Sequence, residues 1–324
     1  VYVIIIDHHN VHNLKHQTSK PKQIIYYGAP GTGKSYAINE ITKKYDTVRT
    51  TFHPDSDYST FVGAYKPVME TEDVEVIPVV LNAGGVVFDQ NKGTYKEKRI
   101  SYKFVKQVFI KAYLAAWKKY AEGGDGVKPQ FLVIEEINRG NCAQIFGDLF
   151  QLLDRDGNGF SKYPIDADTD ICNEIAYAFN KEENGDYNID ANTPISIEGA
   201  VDGYTSNYGA TLSEDVQQGR VLLLPPNLYI WATMNTSDQS LFPIDSAFKR
   251  RWEWNYVKIT DAYKKDNNGD YIIEDGKRIR LGWRVGTKDY NRDWWEFLQA
   301  INEKIAEASS SDDKKLGYFF SMPR

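Results

Sequence analysis

A glycine-rich segment near the start of the chain carries a lysine and a serine where they could hold phosphate groups. Residues 28–35 match the pattern G-x-x-x-x-G-K-[ST] in full, after an apolar run at 23–27 and before helical spacing at 35–45. In that context backbone N–H groups surround a β-phosphate, Lys34 bridges the β- and γ-oxygens, and the Ser35 hydroxyl ligates magnesium. The sequence therefore predicts a nucleoside triphosphate site at Gly28, Ala29, Pro30, Gly31, Thr32, Gly33, Lys34, Ser35 and Tyr36.

Two adjacent carboxylates follow a second apolar run about 100 residues later. Residues 131–134 read Phe-Leu-Val-Ile and lead into Glu135 and Glu136. A phosphate loop needs an acidic site at the end of a neighbouring strand, and one carboxylate cannot readily hold metal and activate water together. We expect Glu135 to bind Mg²⁺ and Glu136 to polarise the attacking water. Aspartate is usual at the first position, so Glu135 is a departure from the common pattern.

A third apolar run, 228–234, ends at Asn235, and a cationic triplet follows it. Asn235 could orient the hydrolytic water, although an Asn after a strand is also a common turn residue. Lys249, Arg250 and Arg251 end a short predicted helix. They could complement its dipole or act as arginine fingers on a neighbour's γ-phosphate.

Apolar runs alternate with helical spacing, which predicts strands separated by helices and hence a parallel sheet covered by helices. We predict helices after residue 104, through 145–153, over 243–251 and over 294–308, and a strand over 252–257. Alternating positions broken by glycines predict a β-hairpin at 73–103. A further hairpin is expected near 267–269. The fold class is α/β.

Composition excludes several other classes of protein. The 324 residues are 41% hydrophobic and 26% charged, which is typical of an ordinary folded protein of about two domains. No apolar run approaches membrane length and no signal peptide is evident, so we expect a cytoplasmic protein without membrane contact. Cys142 and Cys172 are interpreted as apolar fillers. The four histidines among the first 20 residues are interpreted as part of a solvated terminal segment.

Residues 154–220 hold 14 acidic and 4 basic residues, so the rest of the chain is mildly basic and a nucleic-acid role stays open. This insertion could be a pore loop, a docking loop or a solvated excursion. Residues 154–159 imitate a calcium loop, but Ile165 stands where a bidentate glutamate is needed, so we interpret them as a turn. Trp252, Trp254, Trp283, Trp294 and Trp295 could stack on bases, but we expect them to pack in the core and lid.

Taken together, these motifs resemble the McrB-like branch of the AAA+ nucleoside triphosphatases, the motor subunits of modified-cytosine restriction systems. The resemblance runs from about Gln23 to Val257. It rests on residues 51–54 with Tyr58, 61–63 and Pro67, on 134–141, on 226–230 and 234–238, and on 245–251, and it continues weakly through 316–319.

The resemblance implies site residues beyond the phosphate loop. It makes Asn235 the first sensor, places Asn138 and Arg139 in the active-site wall, adds Asp238, and makes Arg250 and Arg251 fingers across a subunit interface. Gln239 and Lys249 depart from the family pattern, which has arginines there, and both lose a fixed bidentate donor.

The resemblance also implies an architecture: a detached segment 1–20, a large nucleotide-binding domain 21–258 and a small, mainly helical lid 259–324, with the family's N-terminal DNA reader absent. It implies a hexameric ring, an McrC-like nuclease-bridging partner and DNA as an indirect partner. The hypothesis is a Mg²⁺-dependent GTPase or ATPase of a McrBC-like anti-phage restriction system. A MoxR-type ATPase that remodels proteins and a nucleotide-gated scaffold are the alternatives.

Overall fold

The computed structural model describes residues 20–76, 79–82, 85–88, 93–123, 126–180, 195, 197, 199–237, 242–264, 266, 271–286, 291–309 and 314–320. The histidine-rich segment before residue 20 lies outside the described residues, as do Asp238 and Gln239. No helix in the described part of the chain is long and apolar enough to cross a membrane.

The first half of the chain contains two sheet strands, an inserted hairpin and the acidic strand. Its elements are β1 (Gln23–Gly28), α1 (Lys34–Thr42), β2 (Asp46–Thr51), α2 (Tyr58–Phe61), β3 (Gly63–Val76), β4 (Val79–Asn82), β5 (Gly85–Phe88), β6 (Gly93–Lys106), α3 (Val108–Glu122) and β7 (Gln130–Glu135).

The second half adds the remaining two strands of the sheet and the C-terminal region. Its elements are α4 (Cys142–Phe146), β8 (Ile165–Asp166), α5 (Thr169–Asn180), α6 (Leu212–Gln217), β9 (Val221–Leu222), β10 (Leu228–Asn235), α7 (Ser246–Lys249), β11 (Glu253–Tyr256), β12 (Ile273–Glu274), β13 (Lys277–Arg278), β14 (Arg284–Gly286), β15 (Asn291–Asp293) and α8 (Trp294–Ser309).

A five-stranded sheet in the order β11-β1-β10-β7-β2 forms the centre of the molecule, and each neighbouring pair is parallel. Gly28 at the end of β1 pairs with Asn235 at the end of β10, and Glu135 at the end of β7 pairs with Thr51 on β2. The carboxyl ends of the strands therefore meet at one edge. The predicted parallel α/β sheet is confirmed.

Successive residues of the central strands point to opposite faces of the sheet, and helices cover both faces. Ile25, Leu132 and Ile134 belong to a core that includes α3, whereas Phe131 and Val133 belong to a second core that includes Ile38 of α1. Because strand side chains alternate with a period of two, a strand buried on both faces reads as a continuous apolar run. This explains the run 131–134 in the sequence.

Three predicted elements differ from those observed. The inserted hairpin pairs residues 63–76 with 93–106, so it is longer than the predicted 73–103. The helix expected through 145–153 stops at Phe146, because Gly147 adopts a positive φ of 51°, and it continues as a 3-10 helix to Leu153. The helix expected over 243–251 begins only at Ser246, where Asp245 accepts from the Phe248 N–H at 2.7 Å.

The acidic insertion is built into the main core. Five of its apolar side chains are buried together with residues of the sheet: Ile171, Ile175, Phe179, Leu212 and Val216. Asp215, itself buried, accepts from Tyr204 at 2.6 Å and from Arg220 at 3.2 Å. A merely solvated excursion is therefore ruled out, because these apolar side chains need the contact that the core provides.

The C-terminal region holds its own small core around Ala262, Leu298 and Tyr318. Trp283 and Trp295 pack against Tyr318, and Trp294 donates to the Tyr318 carbonyl at 2.8 Å. These tryptophans are packing residues, as predicted. In the described part of this region one long helix, α8, accompanies two short hairpins.

Candidate active site

The phosphate loop joins β1 to α1 at the edge where the strands end. Gly31 and Gly33 adopt positive φ angles of 77° and 85°, a conformation that a side chain disfavours, and α1 begins at Lys34. Thr32 closes the loop internally, since its hydroxyl donates to the Ala29 carbonyl at 3.0 Å. The helix N-terminus thus faces the same edge as Glu135 and Asn235. This loop geometry suits the binding of an anion.

Lys34 is buried against the loop that precedes it. Its ammonium donates to the carbonyls of Gly28 and Ala29 at 3.1 and 2.8 Å. Burial lowers the pKa of Lys34 to about 8, although nearby Glu136 and Glu135 act to raise it. A negatively charged group placed in the loop would favour the ammonium form. Tyr36, on the first turn of α1, is half-buried.

Glu135 contacts three side chains from three different elements. Its Oε2 accepts from the Ser35 hydroxyl at 2.7 Å and from the Thr233 hydroxyl at 2.6 Å, and its Oε1 is paired with Arg49 of β2. Thr233 and Arg49 were missed from the sequence. Each belongs to a strand whose register against β7 is set by tertiary structure, so no local signal could have identified them.

The Ser35 and Glu135 oxygens fit the ligand preferences of Mg²⁺. They lie 2.7 Å apart and both are hard oxygen donors, the type that this ion prefers. In the described residues no group of three or more His, Cys, Asp or Glu side chains could hold a metal ion. A magnesium site at a phosphate loop does not need such a group, because phosphates and waters supply most of its ligands.

Glu136 is held in an unusual backbone conformation directly after the strand. Its φ of 54° is left-handed, which costs about 1–3 kcal/mol for a residue with a side chain. Its N–H donates to the Thr233 hydroxyl at 3.1 Å, and its Oε1 accepts from the Asn235 side-chain amide at 2.6 Å. Strain of this kind clusters at functional sites, and here it turns the second carboxylate toward Asn235.

Asn138 and Arg139 continue the same wall in a 3-10 turn, Ile137–Arg139. The Asn138 amide donates to the Asn235 carbonyl at 2.9 Å, and the Arg139 Nε lies 3.7 Å from Glu136 Oε2. The structure therefore brings Asn138, Arg139, Glu136 and Asn235 together. Asp238, the remaining predicted site residue of this group, lies outside the described residues.

The two predicted fingers differ sharply in their surroundings. The Arg251 side chain is 6% exposed, contacts Asp154 at 2.7 Å and lies over the Phe150 ring. The Arg250 side chain is 66% exposed and reaches Asp154 only at 3.9 Å. Arg250 is thus available to another molecule, whereas Arg251 is committed to contacts within its own chain. Lys249 is also exposed.

The C-terminal region contacts the phosphate loop directly. The N–H groups of Gly317 and Phe319 donate to the carbonyls of Pro30 and Gly31, each at 2.8 Å. A Cβ on Gly31 would lie 2.3 Å from the Phe320 nitrogen, and one on Gly317 would lie 2.3 Å from the Gly31 carbonyl carbon. The two backbones are therefore packed as closely as glycine permits.

Comparison with known proteins agrees with this geometry. A family model described as an AAA domain of the dynein-related subfamily matches residues 23–158. The type II restriction enzyme BsuMI component YdiS of Bacillus subtilis is 34% identical over 314 residues, which cover 93% of this chain and 73% of that protein.

The EcoKMcrB subunit, a type IV methyl-directed restriction enzyme of Escherichia coli, is 23% identical over 269 residues. The match covers 80% of this chain but only 40% of that subunit. A crystal structure described as that of an ATPase from Cytophaga hutchinsonii shares 13% identity, over 74% of this chain and 42% of its own, with a TM-score of 0.27 that carries no argument. By the phosphate loop, the strand order and the likeness to YdiS, this chain belongs to the McrB-like family of AAA+ nucleoside triphosphatases.

Proposed function

We propose that this chain hydrolyses a nucleoside triphosphate with Mg²⁺ at the edge formed by the phosphate loop, Glu135, Glu136 and Asn235. The observation that carries the proposal is the hydrogen bond from Asn235 to Glu136 beside the loop. It links the acid at the end of β7 to the polar residue at the end of β10. Such a pair can place and deprotonate one water next to a bound γ-phosphate.

In this proposal Lys34 binds the β- and γ-phosphate oxygens, and the backbone N–H groups of the loop surround the β-phosphate. Glu136 accepts a proton from water, and the water oxygen forms a bond to the γ-phosphorus as the bond to the bridging oxygen breaks. Ser35 and Glu135 would hold the metal, which when bound neutralises charge on the phosphate oxygens. The products are a nucleoside diphosphate and inorganic phosphate.

We also propose the predicted division into a nucleotide-binding domain over 21–258 and a lid over 259–324, with a ring of subunits in which Arg250 reaches the neighbouring site. The exposure of Arg250 supports this role, because a finger must be free to leave its own subunit. Arg251 supports it indirectly by holding the end of α7 against Asp154. A hexamer is the form we expect.

The biological setting follows from the relatives. Both carry the word restriction in their names, and one is described as methyl-directed. We therefore propose a motor that serves a nuclease in anti-phage restriction, with an McrC-like subunit as partner and DNA as an indirect one. The residues that contact phosphate and metal do not distinguish GTP from ATP, so both are candidate substrates.

Phosphate release with GTP and with ATP, recorded together with oligomer mass, tests this proposal. Turnover that requires Mg²⁺, together with a nucleotide-dependent ring, would support it. Tight binding with no turnover even in assembled rings would contradict it and favour a nucleotide-gated scaffold. GTP-selective turnover would fit the restriction assignment, and strict ATP selectivity would favour a protein-remodelling ATPase.

A further inference from the structure

Both carboxylate oxygens of Glu135 already have partners within the chain. Ser35 and Thr233 donate to Oε2, at 2.7 and 2.6 Å, and Arg49 is paired with Oε1. A metal ion that uses this carboxylate must therefore share it with a guanidinium. The arrangement places a fixed positive charge directly beside the proposed metal ligand.

The backbone explains how Arg49 reaches this position. It lies on β2, next to β7, and its Cα is paired with Val133, two residues before Glu135 is paired with Thr51. Glutamate is one methylene longer than the aspartate that is usual here, which extends its carboxylate away from the backbone. The Arg49 side chain is 35% exposed and that of Glu135 is 15% exposed, so the pair is partly screened by water.

We propose that Arg49 is a positioning residue that supplies a counter-charge to Glu135 and thereby reduces the dependence of nucleotide binding on Mg²⁺. The inference rests on the proposed function. Four charged side chains meet at this edge: Lys34 and Arg49 are positive, and Glu135 and Glu136 are negative. Without Arg49 the protein would present more negative charge to the phosphates.

The sign of the effect follows from the charge of the ligand. A free triphosphate carries about four negative charges and its magnesium complex about two, so loss of one nearby positive charge weakens binding of the free form more. By linkage, the same loss makes the protein–nucleotide complex bind Mg²⁺ more tightly. Arg49 and Mg²⁺ thus act as partial substitutes at Glu135.

The test is the affinity for a fluorescent GTP or ATP analogue in excess Mg²⁺ and in excess EDTA. We expect the ratio of the two dissociation constants to rise about tenfold in Arg49→Gln, the size expected for one partly screened charge contact. Arg49→Lys keeps the charge, so its ratio should stay near that of the wild type. Arg99→Gln is the matched control, because Arg99 is an exposed arginine that pairs with Glu97 and Glu72 on the inserted hairpin.

Action through Glu135 has its own test. In a Glu135→Gln background, where there is no carboxylate charge to offset, Arg49→Gln should change the ratio less than about twofold. An unchanged or lower ratio in Arg49→Gln, or an equal change in both backgrounds, would overturn the inference. Failure of the wild-type protein to bind the analogue at all would instead overturn the proposed function.

Discussion

The Asn235 side-chain amide donates a hydrogen bond to Glu136 Oε1 across 2.6 Å, which joins the ends of two neighbouring strands. The Thr233 hydroxyl supports both acids, since it donates to Glu135 and accepts from the Glu136 N–H. A single strand, β10, therefore sets the positions of both carboxylates. Hydrolysis should be sensitive to substitutions on β10 that do not touch the phosphate loop.

Asn235→Ala should lower kcat by about 10- to 100-fold and leave nucleotide affinity within about threefold, because the lost amide orients Glu136 and not the phosphates. Asn235→Asp should be worse and should move the rising limb of the pH–rate profile upward, since a second carboxylate disfavours ionisation of Glu136. Steady-state turnover between pH 5 and 9, with binding measured in parallel, checks both. Equal kcat in the wild type and Asn235→Ala would contradict the assigned role.

Gly317→Ala should lower turnover by about tenfold, because the added methyl group would meet the backbone of Gly31 and Thr32 at 2.3 to 2.5 Å and displace the lid from the phosphate loop. Gly282→Ala is the matched control in the same region. A Cβ at Gly282 meets no described heavy atom within 4 Å, so its turnover should be unchanged. Similar turnover in the two variants would show that the contact does not matter.

Arg250 and Arg251 should fail in different ways. Arg251→Ala should lower the free energy of unfolding by about 3 kcal/mol, because it leaves the half-buried Asp154 without its close partner. Arg250→Ala should leave that free energy nearly unchanged and reduce turnover of the assembled protein by at least about 100-fold. Denaturant unfolding and phosphate release separate the two effects. Full activity of Arg250→Ala would remove it as a finger.

Nucleotide affinity should weaken as the pH rises above about 8, the pKa to which burial lowers Lys34. A bound triphosphate favours the ammonium form, so above this pH binding must take up a proton, and the dissociation constant should rise by up to about tenfold per pH unit. Below about pH 7 it should be constant. Lys34→Arg, whose guanidinium stays charged, should bind with little pH dependence between pH 7 and 9.

The parts of the site that come from contiguous residues could be predicted from the sequence. The phosphate loop, Glu135, Glu136 and Asn235 each follow an apolar run, and the parallel sheet brings the ends of such runs to one edge. Arg49 and Thr233 could not be found in this way, because their contact with Glu135 depends on strand register. The separate roles of Arg250 and Arg251 depend on Asp154, which is about 100 residues away.

The fold shows the same division. Alternation of apolar runs and helical spacing was enough to predict the parallel sheet. The packing of the acidic insertion was hidden, since its apolar residues are spread over 171–216 among many charged ones. The early end of α4 depends on the conformation of Gly147, which tertiary context selects. Local patterns therefore predicted elements, and long-range contacts decided their bounds.

The most direct test of the central claim compares the wild type, Lys34→Ala and Glu136→Gln for nucleotide binding and phosphate release in the same samples. We expect Glu136→Gln to bind with wild-type affinity but to hydrolyse at least about 100-fold more slowly, and Lys34→Ala to lose binding. Wild-type hydrolysis by Glu136→Gln would contradict the claim that this edge of the sheet is the catalytic site.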